Sequence, residues 1–183
     1  MIRSAFAFGT ILFFSSFPVH AADWEINKDK SSITFHASYE KDTVTGQVGA
    51  FDSEITFDPN NLSTSNALVT FDMSSVLTGD MLYDSPLPSA EWLNIKDFPL
   101  SAFQSTSFEK TQDGYLVSGD FTLLGVTKPV KIPFTFLSDG ETAQVSGLFS
   151  FNRSAFGLGE KSPDSTSLSD EIRVEISLAA KVK

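Results

Sequence analysis

The sequence predicts an all-β fold, an antiparallel barrel of about eight strands with a short helical insertion, and three observations predict it. Apolar residues recur at every second position in one segment after another, the pattern of strands with one buried face. Turn chemistry punctuates those segments. Only one stretch, Ser74 to Pro99, breaks the rhythm.

The elements follow in chain order. Ile33, Phe35, Ala37 and Tyr39 form the first alternating row, then Ile55 and Phe57, then Val69, Phe71 and Met73. Tyr115, Val117, Gly119, Phe121 and Leu123 form another, followed by Val130, Ile132, Phe134 and Phe136. Val145, Gly147, Phe149 and Phe151 precede the clearest row, Ile172, Val174, Ile176, Leu178, Ala180 and Val182, whose intervening residues are mostly polar. Asp58-Pro59-Asn60-Asn61, Asp113-Gly114 and Asp139-Gly140 are strong turn signals between rows. Pro133 has no N–H to give a ladder, so its strand is expected to carry an irregularity or a free edge there. In the interruption, Ser89-Ala90-Glu91-Trp92-Leu93 after Pro88 reads as a short helical turn. One-sided strands with a single insertion favour a closed antiparallel sheet, which removes exposed edges; a two-sheet sandwich is the alternative.

Residues 1–21 read as a cleaved signal peptide. Arg3 supplies the charged start and Ala5 to Phe17 the apolar stretch. Pro18 breaks that stretch, and Val19-His20-Ala21 is a small-x-small exit before Ala22. The competing reading, a membrane anchor, needs about 20 uninterrupted apolar residues, and Ser15, Ser16 and Pro18 interrupt this run. No Cys follows, which excludes a lipid-modified N-terminus. Residues 22–183 show no repeat or linker and are read as one domain.

Composition narrows the function classes. With no Cys among 183 residues, disulfides, thiolate nucleophiles and thiolate metal sites are excluded. After residue 21 the chain carries 12 Lys and Arg against 23 Asp and Glu, a net charge of −11. That balance argues against nucleic acid and against electrostatic docking on anionic lipid head groups. The domain's one histidine, His36, lies on the row opposite Phe35 and reads as a surface residue, so neither a hydrolytic triad nor a transition-metal site is assembled. Gly157-Leu158-Gly159-Glu160 lacks the spacing of a phosphate loop. Asp80 and Asp84 read as loop charges rather than as ligands of a hard cation, and Asp58-Pro59-Asn60-Asn61 lacks the alternating ligands of a calcium loop. No catalytic residue, metal or cofactor is expected.

Thirteen of the 18 Phe follow residue 21, and composition leaves two readings open. They pack a solid core, each buried ring contributing about 1.5–3 kcal/mol, or they line an apolar cavity of the kind eight-stranded barrels can keep.

A family resemblance bears on that choice. Gly119-Asp120-Phe121-Thr122-Leu123-Leu124-Gly125-Val126-Thr127-Lys128-Pro129-Val130 resembles the signature hairpin of the YceI-like, lipocalin-like proteins. Trp24-Glu25-Ile26, Ser31-Ser32-Ile33-Thr34-Phe35 and Trp92-Leu93-Asn94-Ile95-Lys96-Asp97-Phe98-Pro99, with Phe103 and Ser105, are similar to further family segments. So are Phe151 to Gly159 and Ser169-Asp170-Glu171-Ile172, and the series keeps the family's order across the whole domain. The resemblance implies a lipocalin-like barrel, secreted to the periplasm, that holds a long amphipathic lipid such as a polyisoprenoid or quinone-like molecule and has no enzyme activity. On this reading Phe35, Phe71, Phe103, Phe121, Phe134, Phe149 and Phe151 line the tunnel, and Trp92 and Phe98 close one end. One departure concerns the mouth: many members carry His before the residue corresponding to Leu87, where this chain has Pro86.

Two functions follow as expectations: a periplasmic lipid carrier or sink, and, alternatively, a module that docks on a membrane redox protein such as a b-type cytochrome. A lipid-modifying enzyme would need a base, and His36 is the sole imidazole after residue 21. Deleting residues 2–21 should leave a protein that fractionates with soluble cytoplasmic contents; tight membrane association of the truncated chain would contradict the export reading.

Overall fold

The structure, a computed structural model, describes residues 22–183; the expected signal peptide, residues 1–21, lies outside the described residues. Eleven strands succeed one another: β1 (Ala22–Ile26), β2 (Ser32–Tyr39), β3 (Asp42–Val48), β4 (Phe51–Phe57), β5 (Asn66–Asp72), β6 (Val76–Leu77), β7 (Leu100–Lys110), β8 (Tyr115–Leu123), β9 (Val126–Ser138), β10 (Thr142–Asn152) and β11 (Glu171–Val182). Three pairs of them act as single bent staves, β1 with β2, β3 with β4 and β5 with β6. The chain therefore closes as an eight-stave, up-and-down antiparallel barrel, with β1 bonded to β4 on one side and β11 on the other. Closure, not the sandwich alternative, is the outcome.

The three bends lie side by side and share one device. Each interrupts the ladder for a few residues and fills the lost bonds with serine hydroxyls. Ser75 Oγ accepts from Ala50 N at 2.9 Å and donates to Asp72 O at 2.6 Å, while Gly49 N reaches Ser75 O at 3.0 Å. Ser31 Oγ likewise accepts from Ala179 N at 3.0 Å. Because side chains alternate with period two, each bend also resets which residues face inward. Phe51, Ile55 and Phe57 face the lumen on odd numbers, Val44 and Val48 on even ones.

The ring is incomplete in two places: β6 bonds only to β3, and β9 parts from β10, an irregularity that Pro133 leads one to expect. β9 pairs with β8 through Val126–Phe134 but with β10 only through Phe134–Ser138 against Ala143–Gly147. The two-residue turn Leu124-Gly125, both at positive φ (52° and 74°), makes Leu123 and Val126 a bonded pair. Alternation then directs residues 126, 128, 130, 132 and 134 toward β8, and Pro129 and Pro133 toward β10. Two missing donors on that edge leave β10 without a ladder partner there. Phe156, from the turn after β10, packs at 5.4 Å from both Phe121 and Phe151.

The insertion departs from expectation in one respect. Its four-residue helix, α1, is Met81–Asp84, whereas Ser89–Leu93 is a run of turns. Asp80 caps α1 by accepting from Leu82 N at 2.9 Å. Further on, Leu93 N bonds Leu87 O and Asn94 N bonds Ser89 O, spacings that an α-helical ladder does not use.

The barrel floor is an aromatic plug. Phe57, 4% exposed, meets Phe136, Tyr115, Phe134 and Phe108 at 4.8–5.6 Å, and Trp24 meets Phe136 edge-on at 5.4 Å while its indole N–H donates to Phe57 O at 3.2 Å. Phe57→Ala should therefore destabilise the protein by about 3–5 kcal/mol. Chemical denaturation measures it, and a loss below about 1 kcal/mol would mean that the plug does not hold the floor.

Candidate functional site

Above the plug the barrel is hollow. A cavity of about 420 Å³ runs along the axis, from Trp24, Phe57 and Phe136 at the floor to Tyr39, Thr78, Leu82, Tyr83 and Pro86 at the mouth. This volume lies within the roughly 300–1,000 Å³ usual for small-molecule sites. Among the described residues no charged side chain lines it. A charge would have no partner there and would cost several kcal/mol; the wall is almost wholly hydrocarbon.

Each predicted inward row supplies part of the wall. Phe35, Phe71, Phe103, Phe121, Phe134, Phe149 and Phe151 all line the cavity, as do Ile33, Ile172, Val174, Ile176 and Leu178. Several of these rings are only half-buried although they sit inside the barrel, because one face looks into empty space. Two rings lie flat on the wall where the neighbouring strand has no side chain: a Cβ on Gly46 would collide with Phe35, and one on Gly119 with Phe103. Flat rings coat the wall without filling the lumen. Phe134 has a second role, stacked on Tyr115 at 5.4 Å as part of the floor.

The two insertion aromatics separate. Trp92 lines the cavity and rests on Gly159. Phe98 is not among the lining residues; its ring stands over Gly125 in the β8–β9 turn, outside the lumen. The reversal at Asn94 (φ 42°) carries the chain away from the opening before Phe98 is reached.

Other lining residues were not marked by the sequence reading. Phe108 points inward because a bulge between Ser105 and Ser107 switches the facing of β7, so it falls off the parity of Phe103. Leu82 and Tyr83 come from α1, and Leu87, Leu158 and Leu168 from loops, none with a strand's periodicity. The loop behind the last two is pinned by Arg153, 7% exposed, which donates to the carbonyls of Ser169, Leu158, Ser165 and Leu168 at 2.6–3.2 Å. Its guanidinium is occupied with its own backbone and does not face the lumen.

His36 lies on the outer face, with Nδ1 3.1 Å from Thr45 Oγ1 and Nε2 3.6 Å from Glu175 Oε2. It does not line the cavity. Among the described residues no group of three His, Cys, Asp or Glu is placed to hold a metal ion.

At the mouth, Tyr39 meets Tyr83 edge-on at 5.9 Å. The adjoining loop is closed by one carboxylate: Asp84 accepts from Thr78 N at 2.6 Å, Thr78 Oγ1 at 2.7 Å and Gly79 N at 3.0 Å. The Thr78 backbone N–H, then its hydroxyl, hold the Asp84 carboxyl below the usual carboxylate range, and Gly79 N–H adds to them. Asp80 and Asp84 are thus a helix cap and a loop closure.

Residues 24–180 match the YceI-like domain. Protein YceI of Salmonella agona (strain SL483) is 36% identical over 141 residues, 74% of this chain and 72% of that protein. Protein YceI of Salmonella newport (strain SL254) is equally similar, 36% over 141 residues. Among solved structures, BcnA of Burkholderia cenocepacia superposes with a TM-score of 0.81 at 25% identity, over 86% of this chain and 100% of that one. A polyisoprenoid binding domain from Saccharophagus degradans, implicated in plant cell wall breakdown, shares the fold with a TM-score of 0.67 at 14% identity, over 90% and 100%.

The Asp84 closure makes a pH-dependent rim. A carboxyl depressed in the folded state contributes its stability above the ordinary carboxylate range and loses it as pH falls through the depressed value. An NMR titration should give Asp84 a midpoint below that of an unstructured Asp, and Thr78→Val should raise it by removing the hydroxyl. A midpoint at the ordinary value in the unsubstituted protein would contradict the closure.

Proposed function

The chain belongs to the YceI-like domain family, and on that footing we propose that it is a non-catalytic carrier for a long amphipathic lipid of the polyisoprenoid or isoprenoid-quinone class. It is exported to the periplasm by residues 1–21 and holds the lipid tail in the barrel lumen. The observation that carries this reading is the continuous, uncharged cavity of about 420 Å³ that runs from the floor plug to the mouth.

The physics of such a site is elementary. Each methylene removed from water contributes about 0.8 kcal/mol, so a tail needs only a dry tunnel of the right girth. Branched, unsaturated isoprenoid units suit a wall coated with flat aromatic rings. The head group stays at the mouth, where Tyr39 and Tyr83 carry hydroxyls and that of Thr78 is already bonded to Asp84. Pro86 lines that mouth and, unlike the His of many relatives, offers no side-chain donor, so head-group contact falls to the tyrosines. The absence of charge from the wall and the outward position of His36 support binding without turnover. The structural likeness to a polyisoprenoid binding domain agrees with the ligand class.

Mass spectrometry of lipid extracted from protein purified from its own periplasm should find one prenyl-chain species at near-stoichiometric amount. Phe149→Trp supplies the second check. Phe149 borders the lumen, 6.1 Å from Phe121 and 6.2 Å from Phe151 by ring centroids. Added volume there should abolish binding of a polyprenyl or quinone probe while apo stability falls by less than about 1 kcal/mol, against about 1–3 kcal/mol for overpacking a solid core. Extracts without lipid, from a protein that also fails to bind the probe, would sink the carrier reading.

A further inference from the structure

The rim of the cavity carries two large apolar side chains that the fold leaves in water. Met81 is 85% exposed and Leu82 74%, the two most exposed of the large apolar residues among those described, and they are adjacent on α1. Leu77, 54% exposed, ends β6 four residues before Met81. Leu82 also lines the cavity, so an apolar path runs without interruption from the tip of the rim into the lumen.

This tip is held out by design of the loop. Asp84 ties Thr78 and Gly79 back to the end of α1, Asp80 caps its start, and Tyr83 rests on Tyr39. Tied in this way, the loop leaves Met81 pointing into solvent and Leu82 exposed at the edge of the opening. Asp80 and Asp84 flank the tip, no Lys, Arg or His occurs along the chain from Asp42 to Ile95, and the β2–β3 turn that reaches the tip through Tyr39 adds Glu40, Lys41 and Asp42.

We infer that Leu77, Met81 and Leu82 form a membrane-docking tip, which seats the mouth of the barrel on a lipid bilayer of zwitterionic head groups so that a tail passes between bilayer and lumen without crossing water. The inference rests on the carrier reading for its purpose, not for its surface chemistry. Side chains of this kind gain free energy by leaving water for the acyl boundary. With Lys41 outnumbered by Glu40, Asp42, Asp80 and Asp84, the tip lacks the net positive charge by which most interfacial helices attract anionic lipid. A contact driven by apolar burial alone is brief, which suits loading and release.

The experiment is co-sedimentation of the protein lacking residues 1–21 with phosphatidylcholine vesicles, beside the Leu77→Ser/Met81→Ser variant, neither residue of which lines the lumen. Vesicle partitioning should fall by about tenfold or more in the variant, while its affinity for a soluble short-chain quinone probe and its thermal midpoint stay unchanged. Replacing a third of the phosphatidylcholine by phosphatidylglycerol should weaken binding of the unsubstituted protein at low salt, and added salt should restore it. Equal partitioning of both proteins, or tighter binding to anionic vesicles, would overturn the docking tip. Concentration-dependent dimers that the variant abolishes, without vesicle binding, would make the tip a self-association surface and overturn it as well. Loss of probe binding by the unsubstituted protein would strike the carrier reading and leave the docking result to stand by itself.

Discussion

Closure of the ring by five residues governs everything else in the molecule. β1, Ala22–Ile26, bonds to β4 through Ala22–Trp24 and to β11 through Trp24–Ile26. Without it β4 and the end of β11 become open edges at the floor, where β2, which joins β11 to β3 higher up, does not reach. The chain has no Cys to enforce closure covalently. Trp24 does the work by packing: its indole N–H is bonded to Phe57 O and its ring meets Phe136, so sealing the wall and plugging the floor are one event. A cavity can stand above such a floor because the aromatic contacts that oppose collapse are concentrated there.

The inward rows were legible because a strand with one buried face must alternate, and almost every apolar residue assigned to those rows faces the lumen or its packing. What escaped was whatever changes parity without changing composition. The bulge between Ser105 and Ser107 turns Phe108 inward five residues after Phe103, and the bend at Gly49-Ala50 moves the inward set from even to odd numbers. Neither leaves a mark in a hydrophobicity pattern. Pro133 was readable as an edge because a missing donor is a property of the residue itself; the matching role of Pro129 needed the register.

The loops were the least legible part of the site. α1 at Met81–Asp84 is set by two carboxylates that bond nearby backbone, and aspartates in a turn-rich stretch read simply as loop charges. Trp92 and Phe98 look equivalent in the sequence and end on opposite sides of the wall because Asn94 reverses the chain between them. The Phe question, solid core or cavity, has a divided answer. Phe57, Phe108, Phe134 and Phe136 pack a floor, Phe156 packs the upper wall, and Phe35, Phe71, Phe103, Phe121, Phe149 and Phe151 coat a hollow.

The missing ladder between β9 and β10 gives the hollow its mechanical character. Below Gly147 the wall between β9 and β10 is a laddered hoop; above it, from Pro133 upward, it is a sleeve slit between those strands and buttoned by Phe156, with a second free edge at β6. To widen the sleeve, β9 and β10 need only slide apart and compress that button, and no ladder bond between them is broken. To widen the hoop, a row of bonds must break together. The barrel is therefore tied more fully in girth at its floor than toward its mouth, where β9 and β10 can part without breaking a ladder.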